Sequence, residues 1–273
     1  VKSRGLQSIG TVGRLLHDTK GKVKFTIDGD LRQITKFPHR KDDDKTGAIV
    51  IYEAPYKNEK QQVPLNMYVI CHDPYWQNQS ADSTSLGSAY VLKRPNNISQ
   101  PDDIIVASYV GRPKTQDEYN RNLFLLADHY GCKIGFENDR GEVIAYAKRY
   151  RKLHKLQEEF EMLDKRELRS KTVKRQYGMH MTEARKRQGE IYIRDWLNTT
   201  RSTDDNGNKL LNLHKIYDPA LLTELIKFNH HGNFDRVMSL MIGMYHTREL
   251  YNAEVKDVLE DNSSNSWFEQ NYY

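Results

Sequence analysis

Three observations in the sequence predict an α/β fold, a mixed sheet flanked by helices. First, residues 63–73 (VPLNMYVICHD) are a short, nearly continuous apolar run with Pro64 near its start and Pro74 just past its end. Such a run reads as a central strand buried on both faces. Second, two more apolar runs, residues 86–92 and 104–110, follow through short polar loops, the pattern of an antiparallel meander. Third, the period then changes. Thr115-Gln116-Asp117-Glu118 is a capping box, and Tyr119, Leu123, Leu126, Ala127 and Tyr130 follow at helical spacing. Gly131 is a suitable stop, and residues 132–137 form another buried run. Strand, helix, strand implies a crossover and a parallel pair.

The remaining elements are read in chain order. Residues 1–60 hold little regular signal. Gly5, Gly10 and Gly13 suggest loop, while residues 22–27 and 48–52 suggest short strands. Gly21-Lys22 resembles the end of a phosphate-binding loop, but Leu16 stands where that motif needs glycine. After Glu137, Asn138-Asp139-Arg140-Gly141 turns into a helix through about residue 153, and residues 155–178 read as exposed and charged. A helix spans 182–197, Asp204 to Asn208 form a hairpin tip, and Asp218-Pro219 opens another helix. His230-His231-Gly232-Asn233 breaks it. A last helix begins near Asp235 and buries Val237, Leu240, Met241, Met244 and Tyr245. Residues 254–273, with five acids and one lysine, read as a loose tail.

Composition narrows the function classes. The chain has 273 residues, 37% hydrophobic and 29% charged, enough for one large domain or two small ones. No apolar run is long enough to span a membrane, and none follows the start as in a signal peptide. The chain opens without methionine, which predicts a fragment of a longer protein. Cys71 and Cys132 both fall in core strands and read as small buried hydrophobes in a reducing compartment, not as zinc ligands. The net charge of +5 is uneven: Lys148 to Arg187 hold 14 Lys/Arg against 6 Asp/Glu. Lys148, Arg149, Arg151, Lys152, Lys171, Lys174, Arg175, Arg185, Lys186 and Arg187 are the candidates for gripping a phosphate backbone; a solvated helix face is the alternative.

Three acids stand where chemistry is expected. Asp73 ends the first buried strand, Glu137 ends the fourth, and Asp235 opens the last helix. Singly, each has an ordinary reading: an Asx turn, a partner for Arg140, and a helix cap. Jointly, two carboxylates at neighbouring strand ends and one at a helix start can converge on a hard divalent cation. Asp82 either adds a ligand or caps a turn. His230 and His231 either orient water or DNA, or stand in solvent.

The element order is that of a ribonuclease H-like fold, with a mixed five-stranded sheet whose first strand lies centrally beside the fourth. Within that frame the chain resembles the nuclease domain of tailed-bacteriophage large terminase subunits. The resemblance rests on His72-Asp73-Pro74 with Asp82-Ser83-Thr84, on Gly135 to Gly141, and on Leu222-Thr223-Glu224-Leu225 leading to Gly232-Asn233-Phe234-Asp235-Arg236-Val237-Met238-Ser239-Leu240. It covers roughly residues 63–250. Many relatives carry two adjacent acids before the last helix, whereas Phe234 precedes Asp235 here.

The resemblance implies a metal-dependent endonuclease that cuts concatemeric double-stranded viral DNA during packaging. Two ions, Mg2+ or Mn2+, would be held by Asp73, Glu137 and Asp235, with Asp82 as a supporting ligand. It also implies three parts: residues 1–60 joining an absent ATPase motor, a nuclease domain over 61–253, and an acidic tail over 254–273. The implied partners are double-stranded DNA, the ATPase domain of the same full-length chain, the portal and the small terminase subunit, with no membrane. The implied setting is the cytoplasm of the infected bacterial host. The competing readings are a non-catalytic DNA-binding module of the same fold and a resolvase- or transposase-type nuclease.

Overall fold

The run expected as a central strand folds as β4 (Tyr68–Asp73), and all six of its residues are buried. The structure is a computed structural model describing residues 10–76, 85–138, 142–158, 177–229 and 232–249. β4 is hydrogen-bonded on both sides: antiparallel to β5 (Gly87–Lys93) and parallel to β7 (Lys133–Phe136). β6 (Ile104–Gly111) completes the meander beyond β5. The expected crossover is α1 (Gln116–His129), which carries the chain from β6 to β7. Thr115 caps it by accepting from the Glu118 N–H, and Gly131, at φ +58°, turns the chain out of it. Three antiparallel strands with a fourth lying parallel beside the first is the ribonuclease H-like arrangement.

Among the described residues the sheet has seven strands rather than five, in the order β2-β1-β3-β6-β5-β4-β7. The additional strands come from residues 11–51, read above as part of an extension. β1 (Thr11–His17) pairs with β2 (Val23–Ile27) and with β3 (Ala48–Ile51), and β3 pairs with β6. Gly13, taken as a loop residue, sits inside β1. A Cβ there would press on the Thr26 carbonyl and the Phe25 ring, so the glycine marks a close strand approach. The helix expected after Glu137 is shorter than its pattern. α2 (Val143–Arg149) ends before Arg151, which takes φ +56°, and a 3-10 turn follows at Leu153–Lys155.

Side-chain alternation along the strands builds two cores. Ile70, Ala89 and Val91 face α1 and α2, where Tyr119, Leu123, Phe124 and Val143 cover them. Val69, Cys71, Tyr90 and Leu92 face α3 (Glu183–Leu197) and α5 (Asp235–Glu249), meeting Ile193, Val237, Leu240 and Met241. A hairpin, β8 (Thr200–Thr203) and β9 (Lys209–Leu211), and α4 (Pro219–Lys227) lie between α3 and α5 in the chain. α5 comes very close to the sheet. Ser239 Oγ donates to the Cys71 carbonyl at 2.8 Å, and a Cβ on Gly243 would run into Cys71 and Leu92. Gly135 leaves room for His246 in the same way. Among the described residues, no helix is long and apolar enough to cross a membrane.

His246 is 2% exposed, and burial pushes its pKa down to about 3, with Arg94 adding to the effect. The imidazole is neutral in the fold and titrates near about 6.5 when unfolded. Its contribution to stability is complete above about pH 6.5 and is lost as pH falls toward about 3, at up to about 1.4 kcal/mol per pH unit. Urea unfolding across that range is expected to show this acid slope, and His246→Gln to reduce it, with the share from buried His72 remaining.

Candidate metal centre

Strand register decides which face each acid occupies. Cys71 pairs with Gly135 and His72 with Phe136, so Asp73 and Glu137 come next in step. The Glu137 N–H donates to the His72 carbonyl at 3.2 Å, which extends the parallel ladder by one residue. Cys71 and Gly135 face α5, whereas Phe136 packs in the core beneath α1. Two residues on from Cys71 and Gly135, the Asp73 and Glu137 side chains return to the α5 face. Ser88 of β5 is directly opposite Asp73 on that face.

Asp235 reaches the same corner from the helix side. Its carboxylate accepts from the Leu86 N–H at 2.8 Å, Ser85 Oγ at 3.3 Å and Asn233 Nδ2 at 3.2 Å. Leu86 is two residues before Ser88, in the segment that leads into β5 just past the end of β4. Asp73, Glu137 and Asp235 are 4%, 8% and 6% exposed. Burial raises the Tyr119 hydroxyl pKa well above normal, with Tyr109, Tyr75, Asp73 and Asp235 adding to it, so both aspartates act on one phenol. His72 adds no positive charge. Burial takes its pKa down to about 4, and its Nδ1 donates to the Ser88 carbonyl at 2.9 Å.

The donor set is three carboxylates, hard oxygen ligands of the kind Mg2+ and Mn2+ take. As placed, no three His, Cys, Asp or Glu side chains among the described residues close on one point at metal-binding distance. The structure therefore brings the three expected acids to one corner and one face without drawing them into a cluster. Asp82, His230, His231 and Arg140 lie outside the described residues, as does the tail over 254–273.

Among the described residues, the basic block does not form one surface. Lys148 and Arg151 are exposed at the end of α2, while Arg149 pairs with Asp117 at 2.7 Å. Lys152 and Lys155 both pair with Asp128, in the last turn of α1 and at the opposite end of β7 from Glu137. Arg185, Lys186 and Arg187 lie across the sheet, in the first turns of α3. Arg185 Nη1 donates to the His180 carbonyl at 2.7 Å, Lys186 pairs with Glu183 at 3.2 Å, and Arg187 is exposed. α3 starts just after Met179, whose backbone bridges to Glu137, so this group leaves from the acidic corner. Lys171, Lys174 and Arg175 lie outside the described residues.

Sequence reasoning gave no role to an ion cluster behind the corner. Arg236, Glu224 and Asp218 are 1%, 1% and 2% exposed. Arg236 Nη1 donates to Glu224 Oε1 at 2.7 Å, Nη2 to the Ile34 carbonyl at 2.9 Å, and Nε lies 3.5 Å from Asp218 Oδ2. Glu224 Oε2 accepts from the N–H groups of Arg236 and Val237 at 3.0 and 3.3 Å. Asp218 caps α4 and accepts from the Tyr90 hydroxyl at 2.6 Å. Burial works against the Arg236 charge, but Asp218 and Glu224 more than offset it and hold the guanidinium cationic. Burial pushes the Glu224 carboxyl up to about 7 against the pull of Arg236. The donors meeting its oxygens favour the charged form and limit that rise. The signal in the sequence was an acid inside the apolar stripe of α4, where a lone charge is too costly to bury.

No family model matches the chain, and no curated protein matches it. Among solved structures, the chain is similar to the large terminase nuclease of the thermophilic phage G20c. With zinc bound, that structure gives a TM-score of 0.44 at 14% identity, over 74% of this chain and 89% of the other. With magnesium bound, it gives 0.40 at 12%, over 74% and 88%.

Arg236→Met would leave Glu224 and Asp218 buried without their cation. A loss of about 3–5 kcal/mol is expected in urea unfolding at neutral pH.

Proposed function

We propose that this chain is a divalent-metal-dependent endonuclease acting on double-stranded DNA. The observation that carries this reading is that Asp73, Glu137 and Asp235 lie buried at one corner of the α5 face, at the carboxyl end of the β4–β7 pair. Gathering buried negative charge beside a polyanion opposes binding unless a cation is held there, so a pure DNA-binding module has no use for the arrangement.

In this reading Asp73 is the most rigidly carried ligand, because its strand is paired on both sides, and it would be the central residue holding the divalent ions. Glu137 and Asp235 would be the outer ligands, presented by β7 and by the first residue of α5. Once bound, the ions supply an activated water and stabilise the leaving oxygen of a phosphodiester. Arg187, with Arg185 and Lys186 nearby in the first turns of α3, is placed to hold phosphates without reading sequence. The motif resemblance adds the finer reading: cutting of concatemeric viral DNA during packaging, with the ATPase domain of the same full-length chain, the portal and the small terminase subunit as partners in an infected bacterium.

Plasmid cleavage with Mg2+, Mn2+ or EDTA tests the reading. Cutting is expected with either metal, none in EDTA, and a loss of at least about 100-fold in folded Asp73→Ala, Glu137→Ala or Asp235→Ala. Equal cutting by wild type and Asp73→Ala would sink the proposed site. Calorimetric titration with Mn2+ reads directly whether a cation collects the three carboxylates. Arg187→Ala is expected to weaken DNA binding uniformly across sequences and to lower its salt dependence by about one phosphate contact.

A further inference from the structure

An acid at the start of a helix ordinarily turns back onto the N–H groups of its own first turn, because they are unpaired and carry the positive end of the helix dipole. Asp235 does not follow that habit. Its carboxylate goes outward to Leu86, Ser85 and Asn233. The free N–H groups of that first turn, those of Arg236 and Val237, are both taken by Glu224 Oε2, which supplies the cap that Phe234, in the position before the helix, has no side-chain acceptor to give.

The geometry points to Glu224 as a positioning residue for Asp235: by occupying the first turn of α5 it keeps the Asp235 carboxylate turned toward Leu86 and the acidic corner. This rests on the metal reading above for its purpose, though not for its geometry. Arg236 completes the device. Its guanidinium grips the other Glu224 oxygen, the Ile34 carbonyl and Asp218, fixing the start of α5 to α4 and to the N-terminal segment. Asp218 is in turn tied to the sheet through the Tyr90 hydroxyl. Tyr90 is two residues from Ser88, the strand partner of Asp73. A continuous run of contacts thus links the strand beside Asp73 to the turn that presents Asp235. Stability alone does not call for this cluster, since well-packed apolar groups of similar volume serve as well as buried ion pairs. Outer groups that orient metal ligands are where such an arrangement earns its place.

The test compares wild type with Glu224→Ala and Glu224→Gln; the second keeps an acceptor oxygen for the two N–H groups and is the milder change to the fold. The first readout is amide hydrogen exchange and needs no metal. In Glu224→Ala, exchange at Arg236 and Val237 should accelerate, and so should exchange at Leu86, whose N–H is held by Asp235. Val91, in the interior of β5, should hold its wild-type rate. Glu224→Gln should restore most of the protection at Leu86. The second readout is Mn2+ binding by calorimetry, expected to weaken about 10- to 100-fold in Glu224→Ala and less in Glu224→Gln. Unchanged protection at Leu86 in the folded variants would overturn the positioning role, as would acceleration equal at Leu86 and Val91. A wild type that binds no Mn2+ would overturn the metal reading instead, and the exchange result would still decide whether Glu224 holds Asp235.

Discussion

Ser239 Oγ meets the Cys71 carbonyl one turn into α5, and Gly243 lets the next turn lie directly on the Cys71 side chain. This close crossing of α5 over β4 is the constraint on which the rest of the structure depends. It fixes the helix lengthwise against the strand, so that the first residue of one and the last residue of the other meet at the same corner. Gly135 extends the contact to β7 by admitting His246, and Gly189 extends it to α3 by admitting Met241. Small residues at these points replace side-chain bulk with backbone proximity. At Gly135 and Gly243 an added methyl group would force α5 off the sheet, whereas at Gly189 the Met241 side chain would have to shift by a few tenths of an ångström.

The acidic corner combines two kinds of support. Asp73 and Glu137 are carried by backbone ladders, whose geometry is set by strand pairing and is insensitive to side-chain choice. Asp235 is carried by side chains, through an ion cluster and by the N–H of Leu86 just ahead of β5. The first kind is stiff and local. The second couples α4, α5, the segment around Ile34 and the sheet, so the position of one carboxylate reports on the packing of four parts of the chain.

Much of this was legible in the sequence. Uninterrupted apolar runs marked β4, β5 and β6 because strands buried on both faces leave no polar alternation. Thr115, Thr182 and Asp218 marked helix starts because their side chains have one cheap task, to satisfy free N–H groups. The three acids stood out because each ends or opens an apolar element. β1 was missed because it is half exposed and holds Gly13, whose role, to let Phe25 and Thr26 approach, belongs to its strand neighbour. The division of the basic block was invisible because charge counted along the chain says nothing of which sheet face each helix covers. The pairing of Lys152 with Asp128 is one such case, because the two lie 24 residues apart and meet only when α1 and α2 are in place. Glu224 and Arg236 lie 12 residues apart and explain one another only when α4 and α5 are in place.

The hydrogen bond between Ser85 and Asp235 joins residues 150 apart, and the one between Ser239 and Cys71 joins residues 168 apart. Contacts of such separation form late, because the chain between them must first be ordered. During synthesis β4 and β7 emerge long before α5 does. A nascent or truncated chain therefore carries Asp73 and Glu137 but not the third wall of the corner. The order of the sequence acts as a timer: the acidic corner comes into being only when nearly the whole described chain has left the ribosome and folded.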